Sequence, residues 1–206
     1  MIAIIDYGAG NIQSVYKALK FIDCECKITS DKNEILNAGG AILPGQGEFG
    51  DCMSSITKSG IKETVEEFIK TGKPFLGICV GLQLLFEKSE ESPETEGLGI
   101  FKGTIKRIPN GEGLKIPHMG WNSVEIKKSD ELLKGVESGE YFYFVHSYYL
   151  DAEDKGIVSS QTEYGVKIDA SVSRNNVYAT QFHPEKSGEA GLKLLNNFKK
   201  LTLTNY

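Results

Sequence analysis

Long apolar runs are missing: nowhere in the 206 residues do consecutive apolar positions approach the roughly 20 that a membrane-spanning helix needs. Cysteine is scarce. Four stand at positions 24, 26, 52 and 79, too few for a disulfide scaffold, and Cys24-Glu25-Cys26 lacks the spacing of a zinc or redox pair. No second pair completes a tetrahedral site, so no metal is expected. Positive charge is not in excess. The 23 Lys plus Arg against 28 Asp plus Glu leave a net charge of −5, which gives nucleic acid no general attraction. The opening Met1-Ile-Ala-Ile-Ile runs into Asp6 without a basic flank, unlike a secretory signal. Repeats, low-complexity tracts and linkers are also lacking. These absences point to a single domain over residues 1–206 in a reducing, cytoplasmic compartment.

What is present has the texture of an α/β protein, with 40% hydrophobic and 25% charged residues. Ile2–Ile5, Gly40–Leu43 and Phe75–Ile78 are short apolar runs of buried-strand length, the second stopped by Pro44, and Lys27–Thr29 is expected to be a further strand. Between them, Ile12, Val15, Leu19 and Ile22, and then Ile61, Val65, Phe68 and Ile69, recur at helical steps. Asp31 can cap a short helix. Val80–Phe86 is expected to be helical. This rhythm predicts a flavodoxin-like parallel sheet with helices on both faces. After an acidic surface loop over 89–97, the C-terminal half turns to strands: Gly103–Ile108, Asn122–Ile126, Tyr141–Leu150 and Gly156–Gln161. Ser171–Arg174 and Val177–Phe182 flank a hairpin turn at Asn175-Asn176, and a last helix covers Gly188–Leu201. The expected whole is a parallel core with an antiparallel β elaboration.

The chemistry concentrates at Leu76-Gly77-Ile78-Cys79-Val80-Gly81. A strand enters, a helix leaves, and Cys79 stands between glycines two residues to either side. That is the G-x-nucleophile-x-G elbow, with sulfur at a helix N-terminus that favours thiolate. The competing reading is a buried cysteine beside a tight turn. A nucleophile needs a base, and there are three histidines. His118 and His146 lie in runs where packing or hydrogen bonding accounts for them. His183 is followed by Pro184-Glu185; if the segment is extended, Glu185 points the same way as His183 and can orient its ring. Gly45-Gln46-Gly47-Glu48-Phe49-Gly50 matches the letters of a dinucleotide loop, but no acid stands at the end of a following strand to hold a ribose. Gly45, Gln46 and Gly47 fit better as backbone whose N–H groups face an oxyanion.

Taken together, these residues resemble the class I, triad-type glutamine amidotransferases, and among them the glutaminase subunits of imidazole glycerol phosphate synthase. The resemblance spans nearly the whole chain and rests on five segments in order. They are Asp6-Tyr7-Gly8-Ala9-Gly10-Asn11, Gly77–Gln83, Pro117-His118-Met119-Gly120-Trp121-Asn122, Tyr141–Tyr148 and Gln181–Gly188. It implies Cys79 as nucleophile, His183 as acid and base, and Glu185 as its orienting partner. It implies the N–H of Val80 and one within Gly45–Gly47 as oxyanion donors. Gln83, His146, Ser147 and Tyr148 would lie at the substrate. Gln46 stands where the family usually carries valine. No cofactor is implied.

A partner is implied on chemical grounds as well, because ammonia released into water is protonated and lost as a nucleophile. The resemblance names a cyclase subunit with a (β/α)8 barrel, forming a heterodimer, with Met119, Trp121, Tyr141 and Lys186 near the interface. For Trp121 and Tyr141 the competing reading is core packing. Three other functions share some of these features: a paralogous glutaminase feeding a surface-glycan sugar amidotransferase, a cysteine peptidase-like hydrolase, and a non-catalytic regulatory binding module.

Overall fold

The structure, a computed structural model, describes residues 1–8 and 10–203. Ala9, in the opening motif, lies outside the described residues. In chain order the first half runs β1 (Ile2–Ile5), α1 (Ile12–Phe21), β2 (Cys26–Thr29), α2 (Lys32–Asn37), β3 (Gly40–Gly45), α3 (Phe49–Lys58), α4 (Ile61–Lys70), β4 (Phe75–Cys79) and α5 (Val80–Gln83). The second half is mostly strand: β5 (Lys88–Ser89), β6 (Gly103–Arg107), β7 (His118–Ser123), β8 (Glu125–Ile126), β9 (Tyr141–His146), β10 (Tyr148–Ala152), β11 (Val158–Glu163), β12 (Lys167–Arg174) and β13 (Val177–Thr180). Helix α6 (Gly188–Leu201) closes it.

Eight strands form the central sheet in the order β2-β1-β3-β4-β13-β12-β11-β8. The first five are parallel and the last three pair antiparallel. The parallel part has the doubly wound order in which sites form at the carboxyl ends of strands. Strands β1, β3 and β4 are buried along their whole length, as apolar strands covered on both faces must be. From β1 the chain steps one way to β2, then the other way to β3 and β4. Right-handed crossovers therefore put α1 on one face and α2 to α4 on the other. The packing follows: α1 meets α6, while α2 and α3 meet α4. Two small sheets, β10-β6-β5 and β7-β9, make up the rest of the elaboration.

Several boundaries differ from the sequence reading. Strand β3 continues through Pro44 to Gly45. Its pairing with β1 ends at Ile4–Ile42, so Pro44 lies beyond the last rung on that side. The helix after Cys79 ends at Gln83, where Leu85 and Phe86 turn back to carbonyls three residues earlier. The strand expected over Asn122–Ile126 is the end of β7 and, after Val124, the short β8, which pairs with β11 instead. The aromatic run Tyr141–Leu150 is two strands, because the chain changes sheets at Ser147: β9 pairs with β7 and β10 with β6.

The acidic segment after β4 is more than a solvated loop. Glu48, at the N-cap of α3, makes no capping bond with its own side chain. Glu91 Oε2 instead accepts from Phe49 N at 2.8 Å, and Ser92 Oγ from Gly50 N at 3.1 Å. Two orphan donors of the helix that follows Gly45–Gly47 are thus satisfied from 42 residues away. Glu91→Ala should lower stability by about 1 kcal/mol, the usual cost of a lost cap. Urea unfolding checks this: the midpoint falls with an unchanged slope, and an unchanged midpoint would show the cap to be idle.

Candidate active site

The elbow is built by backbone crowding. A Cβ on Gly77 would stand 2.6 Å from Gly81 O, one on Gly81 2.0 Å from Leu43 O, and one on Gly45 2.5 Å from Gly81 N. All three neighbours are backbone atoms, so no side-chain movement relieves the clash. With the end of β3, the end of β4 and the start of α5 this close, Cys79 is forced to φ 56°, ψ −111°, a strained conformation for a non-glycine residue. The strain lifts the sulfur clear of the strand, at the N-terminus of α5, whose first N–H groups have no intrahelical acceptor. Register sets Gly45 opposite Cys79, so the loop of Gln46 and Gly47 overhangs the sulfur. Cys52 Sγ lies 3.6 Å from the Gln46 carbonyl and donates to it from α3. Cys24, Cys26 and Cys52 are buried free thiols.

His183 follows β13, the strand beside β4. Its N–H donates to Tyr143 O at 2.9 Å, and its carbonyl accepts from Ser187 Oγ at 2.6 Å. The partnership with Glu185 is made differently from the sequence reading. Pro184–Lys186 is a turn of 3-10 helix, and it is this turn, not an extended strand, that brings Glu185 Oε1 to 2.8 Å from His183 Nδ1. A carboxylate only accepts, so Nδ1 carries the proton and Nε2 is the free ring atom. Both Nε2 and Glu185 Oε2 are buried without a partner, a costly arrangement of the kind functional sites hold. Burial pushes the His183 pKa down, but the charge of Cys79 and the hydrogen bond donated to Glu185 outweigh it and hold the imidazole up, at about 10. Ionic attraction of this kind does not need the hydrogen-bond geometry that Nε2 lacks here.

The other two histidines are fixed in the opposite state. His146 Nδ1 lies 2.8 Å from Tyr148 O, so it donates, and Nε2 must accept. His118 Nδ1 donates to that nitrogen at 3.0 Å, and His118 Nε2 accepts from Asn122 Nδ2 at 3.4 Å. Asn122 cannot flip, because its Nδ2 also donates to Glu163 O and its Oδ1 accepts from Ser123 N. The chain is pinned at both ends, and an added proton would set two donors against each other. Burial lowers the pKa of His118 to about 4 and that of His146 to about 3.

A pocket of about 250 Å³ opens at Cys79, lined by Gln46, Gly47, Val80, Gln83, His146, Ser147, Tyr148 and His183. Lys186 lines it too, its Nζ 5.8 Å from the centre of the Tyr143 ring. Glu185 stands behind His183, and Gly45 behind the overhanging loop. Glu91, Pro117 and Val145, none singled out in the sequence, complete the wall. Met119, Trp121 and Tyr141 are elsewhere. On the β7–β9 ribbon, His118, Phe142, Phe144 and His146 are buried, while Met119, Trp121 and Tyr141 are 62%, 55% and 60% exposed on the other side. Core packing is therefore excluded for Trp121 and Tyr141. Tyr143, paired with Trp121, lies on that same outer side and carries Lys186, which lines the pocket, so the exposed face adjoins the site. Among the described residues no cluster of three or more His, Cys, Asp or Glu could hold a metal ion, and no helix is long and apolar enough to cross a membrane.

The chain is similar to known proteins over nearly its whole length. Residues 3–201 match the family described as glutamine amidotransferase class-I. A protein of Caldanaerobacter subterraneus subsp. tengcongensis named imidazole glycerol phosphate synthase subunit HisH is 54% identical over 201 residues, 98% of each chain. One of Methanococcus maripaludis, imidazole glycerol phosphate synthase subunit HisH 1, is 49% identical over 205 residues, 98% of this chain and all of that one. Among solved structures, a glutamine amidotransferase superimposes with a TM-score of 0.77 at 21% identity, covering 99% of this chain and 100% of the other. PurLQS from Thermotoga maritima gives 0.74 at 23%, covering 96% of each. At these identities the two structures speak to the fold.

The neutral histidine pair makes stability depend on pH. Unfolded, both rings titrate near 6.5; folded, they bind protons only near 4 and 3. Between those values the unfolded chain holds more protons, so the contribution is complete above 6.5 and is lost as pH falls. The loss is up to about 1.4 kcal/mol per pH unit for each ring. Urea midpoints should drop steadily from pH 6.5 to 4.5; a flat profile would mean the rings are already solvated.

Proposed function

The chain belongs to the class-I glutamine amidotransferase family, and from that membership we infer that it is the glutaminase subunit of an imidazole glycerol phosphate synthase, serving histidine biosynthesis. It hydrolyses glutamine and works in a complex with a partner subunit. The surface-glycan paralogue, the peptidase and the idle binding module are not favoured: relatives bearing the synthase name match this chain over nearly their whole length.

The observation that carries the chemistry is the meeting of Cys79, His183 and the buried Glu185 at one pocket. In our reading the Cys79 thiolate attacks the side-chain amide carbon of glutamine. The oxyanion that forms is held by the N–H of Val80, at the start of α5, and by a backbone N–H of the Gly45–Gly47 loop. His183 protonates the departing ammonia from Nε2, leaving a γ-glutamyl thioester. The same nitrogen then takes a proton from water, whose attack releases glutamate and the thiolate. Glu185 keeps the ring turned so that Nε2, not Nδ1, faces the reaction.

Substrate orientation falls to Gln83 and the turn at His146, Ser147 and Tyr148. Gln83 Nε2 is committed to Tyr148 O at 3.2 Å and Gln181 Oε1 at 3.1 Å. Its Oε1 is thereby left as an acceptor for an N–H of glutamine. The partner is a cyclase subunit with a (β/α)8 barrel, the assembly a heterodimer, and the compartment the cytoplasm, with residues 1–206 acting as one amidotransferase domain. We place its docking face on Met119, Trp121 and Tyr141, with Lys186 belonging both to the pocket and, over Tyr143, to this ribbon. Ammonia then passes from a pocket directly beside the interface.

Glutamate release by the purified chain, alone and with a cyclase subunit and its nucleotide substrate, tests the assignment. Release should rise sharply in the complex, and Cys79→Ala should abolish it in both conditions. Residual release near wild type in that variant would overturn the reading, as would a peptidase activity that Cys79→Ala removes while glutamine is untouched.

A further inference from the structure

Gln181 is completely buried, sits two residues before His183, and enters the mechanism above only through its oxygen, which accepts from Gln83. Its backbone N–H is held by Ala170 O at 2.8 Å, and its neighbour Thr180 pairs with Ile78, so the residue stands opposite Cys79 across the parallel strands. Its side-chain Nε2 lies 3.7 Å from Cys79 Sγ, within reach of an N–H to sulfur hydrogen bond.

Which end of the amide faces the sulfur decides what it does there, and the surrounding bonds settle it. Tyr148 O is a carbonyl and only accepts. Gln83 must therefore present nitrogen to it, at 3.2 Å. The second hydrogen of that nitrogen reaches the Gln181 side chain at 3.1 Å, so Gln181 must turn its oxygen toward Gln83. Its nitrogen, with two hydrogens, is left for the sulfur. The anchoring carbonyl is itself saturated, because its other bond comes from His146 Nδ1 at 2.8 Å. The second polar contact of the sulfur is of the opposite kind: Val145 O, at 4.0 Å, can accept only from a protonated thiol. Cys79 thus lies between a carbonyl that favours thiol and an amide N–H that favours thiolate.

We propose that Gln181 holds the nucleophile in its reactive state, donating an N–H to the Cys79 sulfur with an orientation imposed through Gln83 by the carbonyl of Tyr148. The proposal deepens the glutaminase reading and rests on it for its significance. A donor to a charged acceptor is stronger than one to a neutral acceptor. The bond is therefore strongest before attack and again when the thioester collapses and sulfur departs as thiolate, and weakest in the thioester.

The test is the pH profile of Cys79 alkylation by iodoacetamide, with glutamate release measured in parallel. Gln181→Met keeps the volume and removes the donor. Its alkylation midpoint should move up by about one pH unit, so that alkylation below the midpoint is about tenfold slower, while the high-pH plateau stays at the wild-type rate. Gln83→Met does not touch the sulfur but releases the Gln181 amide, and should move the midpoint in the same direction by less; it serves if Gln181→Met does not fold. A midpoint that is unchanged, or that moves down as it would if the amide oxygen faced the sulfur, overturns the proposal. If wild type releases no glutamate yet the upward shift holds, the donor stands and the glutaminase reading is what fails.

Discussion

Three stretches of backbone, at Gly45, Gly77 and Gly81, approach so closely that none of the three has room for a β-carbon. From this contact most of the site follows. It drives Cys79 into positive φ, sets the sulfur at the start of a helix, and brings the end of β3 over it as an overhanging loop. It also fixes what lies opposite, because β13 is in register with β4 and delivers Gln181 and His183 to the same end of the sheet. The cost of the strained residue is borne by a core of strands buried on both faces, which leaves the elbow no easier conformation.

Around that core the polar groups are sorted into two electrostatic states. His183, bound to a buried carboxylate and set against Cys79, is held ready to carry charge. His118 and His146, bound in series between an asparagine and a backbone carbonyl, are held neutral. Burial favours the neutral ring in all three; at His183 the neighbouring Cys79 and Glu185 outweigh it. The neutral pair also has a structural consequence: it lies on the inner face of the β7–β9 ribbon, where His118 stacks on Phe144 and Tyr164. The ribbon's outer face is left to Met119, Trp121 and Tyr141 beside the pocket.

Much of this was legible in the sequence where the signal is local. The elbow's glycines, the apolar strands and the helical spacings each report on their immediate neighbours, and the parallel core and its antiparallel elaboration follow from them. The pairing of His183 with Glu185 was legible too, although through the wrong geometry: His183 is the extended residue before a 3-10 turn, and that turn brings Glu185 to its ring. What was not legible depends on distant chain. Nothing near Glu91 or Ser92 marks them as caps for a helix 42 residues away. The sheet change at Ser147 is invisible because both halves of the aromatic run alternate alike. Alternation likewise cannot say which face of β7 a covering element leaves bare, so Trp121 read equally well as core. A lone glutamine at position 181 carries no signal until the strand order places it against Cys79.

In the mechanism we propose, one of four buried cysteines, Cys79, is singled out by its surroundings as the nucleophile toward glutamine. Peptide mass mapping after incubation with a glutamine-mimicking electrophile, 6-diazo-5-oxo-norleucine, tests it most directly. One adduct per chain is expected, on Cys79, suppressed by excess glutamine and slowed in His183→Ala. Adducts spread over Cys24, Cys26 and Cys52 as readily as Cys79, or indifferent to glutamine, would contradict it.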